Sequence, residues 1–329
     1  MQELNSGARL ASMIACTAVA AAWIAGCSAD GLDTTTVAPD AIEVVGFSSS
    51  SASPGFWSHW GDGKAELNGY DLVQPRYGEL RKGRAVLVYV TEPFSKRDFV
   101  KVNDWDRSDP AQVQVLKLNF IKKFQTGVYD YSVMTSIFVD PAERFAPVKT
   151  TFSMQEWCGS VYEETVFEGG EAKISAHSYF EGETANYALA MDGNVVAEDT
   201  LKITLRGLGA ETLEQPEGEL RLLPSSIERR FRHVKPTIVP SAVSWAPEAK
   251  TVEVPAGRFE VREASYARQD GARCTTQIEV SYPHRVVGWS CTDGEEAKLR
   301  GSARIPYWQT HNEGDEKLLG ELGLEALQF

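Results

Sequence analysis

Residues 113–139 read VQVLKLNFIKKFQTGVYDYSVMTSIFV. Leu116, Leu118 and Phe120 alternate with Lys117 and Asn119, and Thr126-Gly127 offers a turn into a second run in which Tyr129, Tyr131 and Val133 alternate. Successive side chains of a strand point to opposite faces, so this spacing predicts two antiparallel strands, each turning one face to a core. The same signature extends outward. Residues 84–91, RAVLVYVT, are β-branched and apolar after the turn signal Lys82-Gly83. Further strands are expected near 150–157, 160–167, 172–180, 184–191, 258–267, 273–281, 285–291 and 296–307. Many short strands joined by glycine-bearing turns indicate a mainly β, antiparallel protein.

Two segments depart from that pattern. From Val196 to Leu208, Ala197, Leu201, Leu205 and Leu208 fall on one helical face, while Leu201, Ile203 and Leu205 also alternate as in a strand. In the tail, 311–329, Leu318, Leu319, Leu322 and Leu327 have helical spacing, interrupted by Gly320 and Gly323. The fold therefore carries one or two short helices. Residues 56–310 are read as the β domain, beginning at the aromatic cluster Phe56-Trp57-Ser-His-Trp60. A sub-boundary near 207–218 would make two domains; a single continuous sheet fits equally well.

The first residues are polar, and Leu10 to Ala25 form an uncharged run of sixteen, short for a bilayer span and suited to a secretory signal. The run ends in Ile24-Ala25-Gly26-Cys27, which resembles the lipobox of bacterial lipoproteins. That resemblance implies a signal peptide over 1–26 and a diacylglycerol on the Cys27 thiol, with further acylation such as palmitate on its freed amine. Two or three acyl chains hold a protein firmly on a membrane, each buried methylene contributing roughly 0.8 kcal/mol. Residues 27–55, rich in Ser, Thr, Ala, Asp, Gly and Pro, read as a flexible tether. By resemblance to the sorting rule of Gram-negative lipoproteins, Ser28 after the lipidated cysteine favours the outer over the inner membrane.

The formal charge is -13, and loss of residues 1–26, which hold Glu3 and Arg9, leaves it unchanged. Such a surface argues against nucleic acid and against an electrostatic grip on anionic headgroups. An exported chain can form disulfides. If Tyr282 and Pro283 centre the turn in Ser281-Tyr-Pro-His284, Cys274 falls opposite Cys291, and a bridge between them is expected. Cys158 is then the odd thiol, expected to be buried. No CxxC pair is present, and nothing in the chain calls for a metal or another cofactor.

Catalytic signals are sparse. There is no G-x-S-x-G elbow, and His59, His177, His233, His284 and His311 sit in unrelated contexts. In Trp57-Ser58-His59-Trp60, strand geometry would send the hydroxyl and imidazole to opposite faces. Asn103, Asp104, Asp106 and Asp109 gather oxygen ligands, but without the glycine or distal glutamate of a calcium loop; a solvated turn fits better. Arg229, Arg230, Arg232, His233 and Lys235 form the dense basic cluster, read as a solvated face or as a grip on an anionic ligand or lipid phosphate.

Several blocks are recognisable: residues 60–66 (WGDGKAE), 76–79 (RYGE), 88–94 (VYVTEPF), 117–127 (KLNFIKKFQTG), 131–136 (YSVMTS) and 155–159 (QEWCG). Over most of 57–307 the chain resembles a family of bacterial exported proteins sometimes labelled septum formation inhibitor Maf. Ser51-Ala-Ser53-Pro54 is similar to the opening of the true Maf pyrophosphatase signature but lacks its paired arginines, so that activity does not carry over. The step Val254-Pro-Ala-Gly-Arg-Phe259 resembles those of periplasmic proteins built on a curved half-barrel sheet, including lipoprotein carriers. That likeness implies a concave apolar face able to hold acyl chains.

These readings point to a membrane-anchored envelope lipoprotein that binds an apolar ligand or an envelope partner. The alternatives are an envelope hydrolase with its site around Gln155–Gly159, or a purely structural surface protein. Replacing Cys27 by Ser is expected to shift the protein from the membrane to soluble or unprocessed fractions on cell fractionation; undiminished membrane retention would refute the anchor.

Overall fold

A computed structural model describes Ser48, residues 50–210 and residues 212–326. The signal peptide, Cys27 and most of the tether lie outside the described residues. The strands are β1 (Ala65–Arg76), β2 (Glu79–Ser95), β3 (Val100–Lys101), β4 (Gln112–Thr126), β5 (Tyr129–Asp140), β6 (Ala146–Glu156), β7 (Gly159–Glu168), β8 (Glu171–Ser178) and β9 (Ala185–Ala190). They continue as β10 (Val195–Ala197), β11 (Gly218–Leu223), β12 (Val239–Trp245), β13 (Lys250–Val254), β14 (Gly257–Arg268), β15 (Arg273–Glu279), β16 (Val286–Cys291) and β17 (Glu296–Ile305). All belong to one sheet, ordered β9-β8-β7-β6-β5-β4-β2-β1-β17-β16-β15-β14-β12-β11-β10, with β3 added to β2 and β13 to β14. Every pairing is antiparallel except the short β10–β11 ladder.

The sheet is strongly curved. Leu118 of β4, Ile137 of β5, Tyr70 of β1, Ile278 of β15 and Val243 of β12 share one buried cluster although many ladders separate them. The two edges, β9 and β10, are not hydrogen-bonded to each other. They are drawn together by packing: Phe167, Ala172 and Ile174 meet Val195, Ala197 and Leu223 in a second cluster. The result is a mainly β, barrel-like but open sheet. The described β domain shows no break at 207–218, since β11 continues the same sheet.

The helices fill the concavity. In α1 (Pro54–Trp60), Ser53 caps the N-terminus by accepting from Phe56 N (3.2 Å) and Pro54 occupies the first turn, where its missing N–H costs nothing. Phe56 and Trp60, one turn apart, are fully buried. The strand reading of residues 57–60 is thus corrected: Ser58 is exposed, while His59 Nε2 meets Arg304 Nη1 at 2.7 Å. Nor does the tether run to residue 55. Ala52 N donates to Pro141 O (2.8 Å) and Ser51 Oγ to Ala142 O (2.7 Å), which fixes this stretch on the domain.

The segment 196–208 is neither one helix nor one strand. It enters as β10, makes a 3-10 turn over Glu198–Thr200, and then a single α-helical turn, α2 (Leu201–Thr204). A third short helix, α3 (Ser226–Arg232), lies against β5. The tail forms a 3-10 helix over Asp315–Leu322, and its leucines cover the outer face of β1, β2 and β17. Gly69 and Gly301 permit this approach, because a Cβ at either would collide with the backbone of Glu321 or Leu322. Strands β1 and β10 to β13 escaped the pattern. In β1 the buried Glu66 and Asn68 and the small Gly69 break the apolar alternation.

Glu66 exists there for Arg206. That guanidinium, wholly buried, donates from Nη2 to Glu66 Oε2 (3.0 Å) and Pro283 O (2.8 Å), and from Nε to His284 O (3.0 Å). It also lies over the Tyr89 ring at 4.3 Å. Removing one partner of a buried pair leaves the other charge uncompensated, at about 3–5 kcal/mol. Arg206→Met should therefore lower the urea midpoint by that amount of stability; a variant within 1 kcal/mol of the parent would show that the pair does not hold the plug.

Candidate functional site

A space remains beside the plug. A cavity of about 560 Å³ is bounded by β1, β4, β5, β14, β15 and β16, by residues 198–202 and by α3. Its exposed residues, Tyr77, Gly78, Arg232, Gly271, Arg273, Thr292 and Asp293, mark the mouth. Phe120, Val133, Leu201, Ile227, Phe231 and Trp289 give it apolar walls, with Phe120 and Trp289 edge to face at 5.5 Å. Residues of α1 and of 201–208 pack against the concave side of the sheet, and the space beside them has apolar walls and a charged floor.

Lys122 lies on that floor because it shares the inward parity of Leu116, Leu118 and Phe120 along β4. Its Nζ donates to both oxygens of Glu295 (2.7 and 2.8 Å) and to Gln74 Oε1 (3.2 Å). Trp289 Nε1 donates to the same carboxylate (2.7 Å). Burial works to raise the Glu295 pKa, yet the Lys122 charge and these hydrogen bonds outweigh it and hold the carboxyl below its ordinary range.

Lys202 projects from α2. Its Nζ donates to Thr276 Oγ1 (3.2 Å) and stands 4.6 Å from the Trp289 ring centroid; among the described residues it pairs with no carboxylate. Burial lowers its pKa to about 8, with Glu295 and Glu198 opposing the shift and Lys122 adding to it. Glu198 behaves inversely. Burial pushes its carboxyl up to about 7, although it accepts from Tyr266 Oη and Arg268 Nη1, both at 2.6 Å. Arg268 in turn holds Glu228 and Asp270. The lining thus contains a carboxyl and an amine that change charge near neutrality, and the amine has donors to spare.

Cys274 and Cys291 stand opposite each other in the β15–β16 register, are joined by a disulfide, and form part of the wall; Tyr266 Oη, whose proton goes to Glu198, lies 3.0 Å from Cys274 Sγ. The connecting turn contains a cis Tyr282–Pro283 peptide. Cys158 is exposed, not buried, in the tight turn between β6 and β7. Hydrogen bonding to the adjacent Glu156 carboxylate, with slight desolvation, raises its thiol pKa and so keeps it protonated. The Gln155–Gly159 block is this hairpin turn, with Trp157 exposed and bonded to Asp130 (3.2 Å); among the described residues no histidine side chain hydrogen-bonds to it.

The basic cluster divides. Arg229 and Arg230 are buried and paired with Glu163 (2.7 Å) and Glu183 (3.0 Å), so the solvated-face reading fails for these two. Arg232, His233 and Lys235 remain exposed. In residues 103–109, Asp106 and Asp109 accept from Ser108 and Ala111 N–H groups within their own loop. Among the described residues no cluster of three or more metal-ligating side chains is present. No described helix is long and apolar enough to cross a membrane.

Of the cavity residues, Lys122 was within reach of the sequence, as a charge at an inward position of an apolar strand face. Lys202 carries no comparable signal, since its segment has no single period. No protein-family model and no curated protein matches the chain. Among solved structures it is similar to a β-barrel-like protein of the domain of unknown function DUF1849 from Brucella abortus, at 14% identity and a TM-score of 0.45, covering 74% of this chain and 98% of that one.

A half-buried ammonium with no carboxylate partner among the described residues costs stability. A folded pKa of about 8 against 10.5 in the open chain corresponds to roughly 3 kcal/mol at neutral pH. Because the folded-state value is the lower one, the cost is full below pH 8 and fades as pH rises towards 10.5. Lys202→Met should therefore unfold at higher urea than the parent at pH 7, with the difference shrinking by pH 10; equal midpoints at pH 7 would contradict this.

Proposed function

We propose that this chain is a cell-envelope lipoprotein, held on a membrane through Cys27, whose β domain is a non-enzymatic binding module for a small ligand with an apolar body. The observation that carries the binding role is the cavity itself. At about 560 Å³ it falls within the range of small-molecule sites, with apolar and aromatic walls and a few convergent polar groups. Most of its lining comes from strands and two inner segments, with loop residues at its mouth. The disulfide in its wall suits an oxidising compartment.

A hydrolase would need a nucleophile with a base within hydrogen-bond reach. No histidine lines the cavity, Ser225 caps α3 by accepting from Glu228 N (3.3 Å), and Thr276 Oγ1, the hydroxyl that meets Lys202 Nζ (3.2 Å), is buried in β15. Binding is therefore the reading the geometry supports best. The test is native mass spectrometry of the protein gently extracted from its own membranes. A bound molecule of a few hundred daltons is expected, and it should be lost in Ile227→Trp, which places an indole in the cavity from α3. An unliganded parent protein, or retention of the same ligand by the variant, would refute the cavity as the binding site.

A further inference from the structure

We propose that the ligand of this cavity is an anionic amphiphile, whose single negative group is received by Lys202 Nζ while its apolar chain lies against Phe120, Trp289 and Phe231. The proposal rests on the cavity being a binding site and adds the chemistry of what enters it.

The cations around the cavity differ in one respect. Lys122 is held by Glu295, Arg268 by Glu198, Glu228 and Asp270, and Arg232 by Glu228. Arg76 donates to Phe231 O (3.1 Å) and stacks between the Tyr77 and Phe231 rings, with guanidinium-to-centroid distances of 4.2 and 4.5 Å. Arg273 sits exposed at the mouth, where water serves it. Among the described residues, Arg76 and Lys202 are the two of these that are half-buried with no carboxylate, and Arg76 spends its donors on Phe231 O and the Tyr77 and Tyr131 hydroxyls. An ammonium has three donors, and Thr276 takes one. Two remain beside a space large enough for a ligand.

A buried charge is tolerated when something compensates it, and the protein supplies only a hydroxyl and the face of Trp289. A ligand anion would complete the set with charge-assisted hydrogen bonds, which are about twice as strong as neutral ones. The local charge also limits the ligand to one negative unit. Glu295 and Glu198 both face this region, each already matched by its own cation, so a second negative charge on the ligand would meet them unbalanced. Beyond the ammonium the walls are aromatic and aliphatic, which selects an apolar chain or ring system.

A free fatty acid and a phosphodiester lipid share this chemistry, and suitable probes separate them. The full-length protein is titrated calorimetrically with dodecanoate, with a dodecanoyl lysophosphatidylglycerol, and with the uncharged dodecanol. Either anion should bind at least tenfold more tightly than dodecanol, and the tighter of the two identifies the source. Lys202→Met should lose at least tenfold in affinity for the anion while binding dodecanol as the parent does. Its urea midpoint, expected at or above the parent's, verifies that it is folded. Equal affinity for dodecanol and both anions, or undiminished anion binding by Lys202→Met, overturns the anionic-head assignment while leaving the cavity as a site. Failure of all three probes to bind the parent, or indifference of their binding to Ile227→Trp, overturns the cavity reading itself.

Discussion

The buried ion pair between Arg206 and Glu66 is the contact on which the interior depends. A long antiparallel sheet that curls without closing leaves a concave face too wide for strand side chains to fill across. The chain fills it with its own residues 196–208 and with α1, and Arg206 ties that plug to three separate parts of the sheet. It reaches Glu66 in β1, the two carbonyls of the β15–β16 turn, and the ring of Tyr89 in β2. Hydrogen bonds of fixed direction specify one position for the plug, whereas apolar contacts alone would accept several.

Because the plug is fixed, so is what it carries. Glu198 and Lys202 lie one helical turn apart on it and face a cavity whose other walls come from strands distant in sequence. The plug is short and the cavity floor already holds the Lys122–Glu295 pair, so the two residues are desolvated in a region where charges feel one another strongly. Glu198 is compensated by Arg268 and Tyr266, and Lys202 is not. The fold matches its fully buried lysine and arginines with carboxylates, whereas the half-buried Lys202 has none among the described residues, at a cost in stability. That pattern is typical of functional sites, where local optimisation is given up for ligand chemistry.

Much of the architecture could be read directly from the chain. The alternation in 113–139 places Leu116, Leu118 and Phe120 inside and, extended by two residues, Lys122 as well. The turn at 281–284 sets Cys274 against Cys291, because a hairpin fixes its own register. Strands with strict alternation were legible to within a few residues. Those whose inner faces carry charge or glycine, such as β1 with Glu66, Asn68 and Gly69, were not, since Glu66 is matched by Arg206, 140 positions away, and Asn68 leans on Glu66 in turn. The helical nature of α1 was masked by its aromatics, although Ser53 and Pro54 are good N-terminal signals.

By itself, then, the sequence determined an antiparallel β protein, its principal hairpins and the opposition of one cysteine pair, all consequences of period-two patterning and short turns acting locally. The tertiary structure decided that the sheet curls and stays open, that its concavity is largely plugged, and that Arg229 and Arg230 are internal rather than solvated. It also decided that Lys202 stands in a cavity without a counter-charge. Desolvation and charge compensation are sums over everything nearby in space, and for Lys202 those neighbours come from β4, β15, β16 and the loop before β17. No window of sequence around residue 202 contains them.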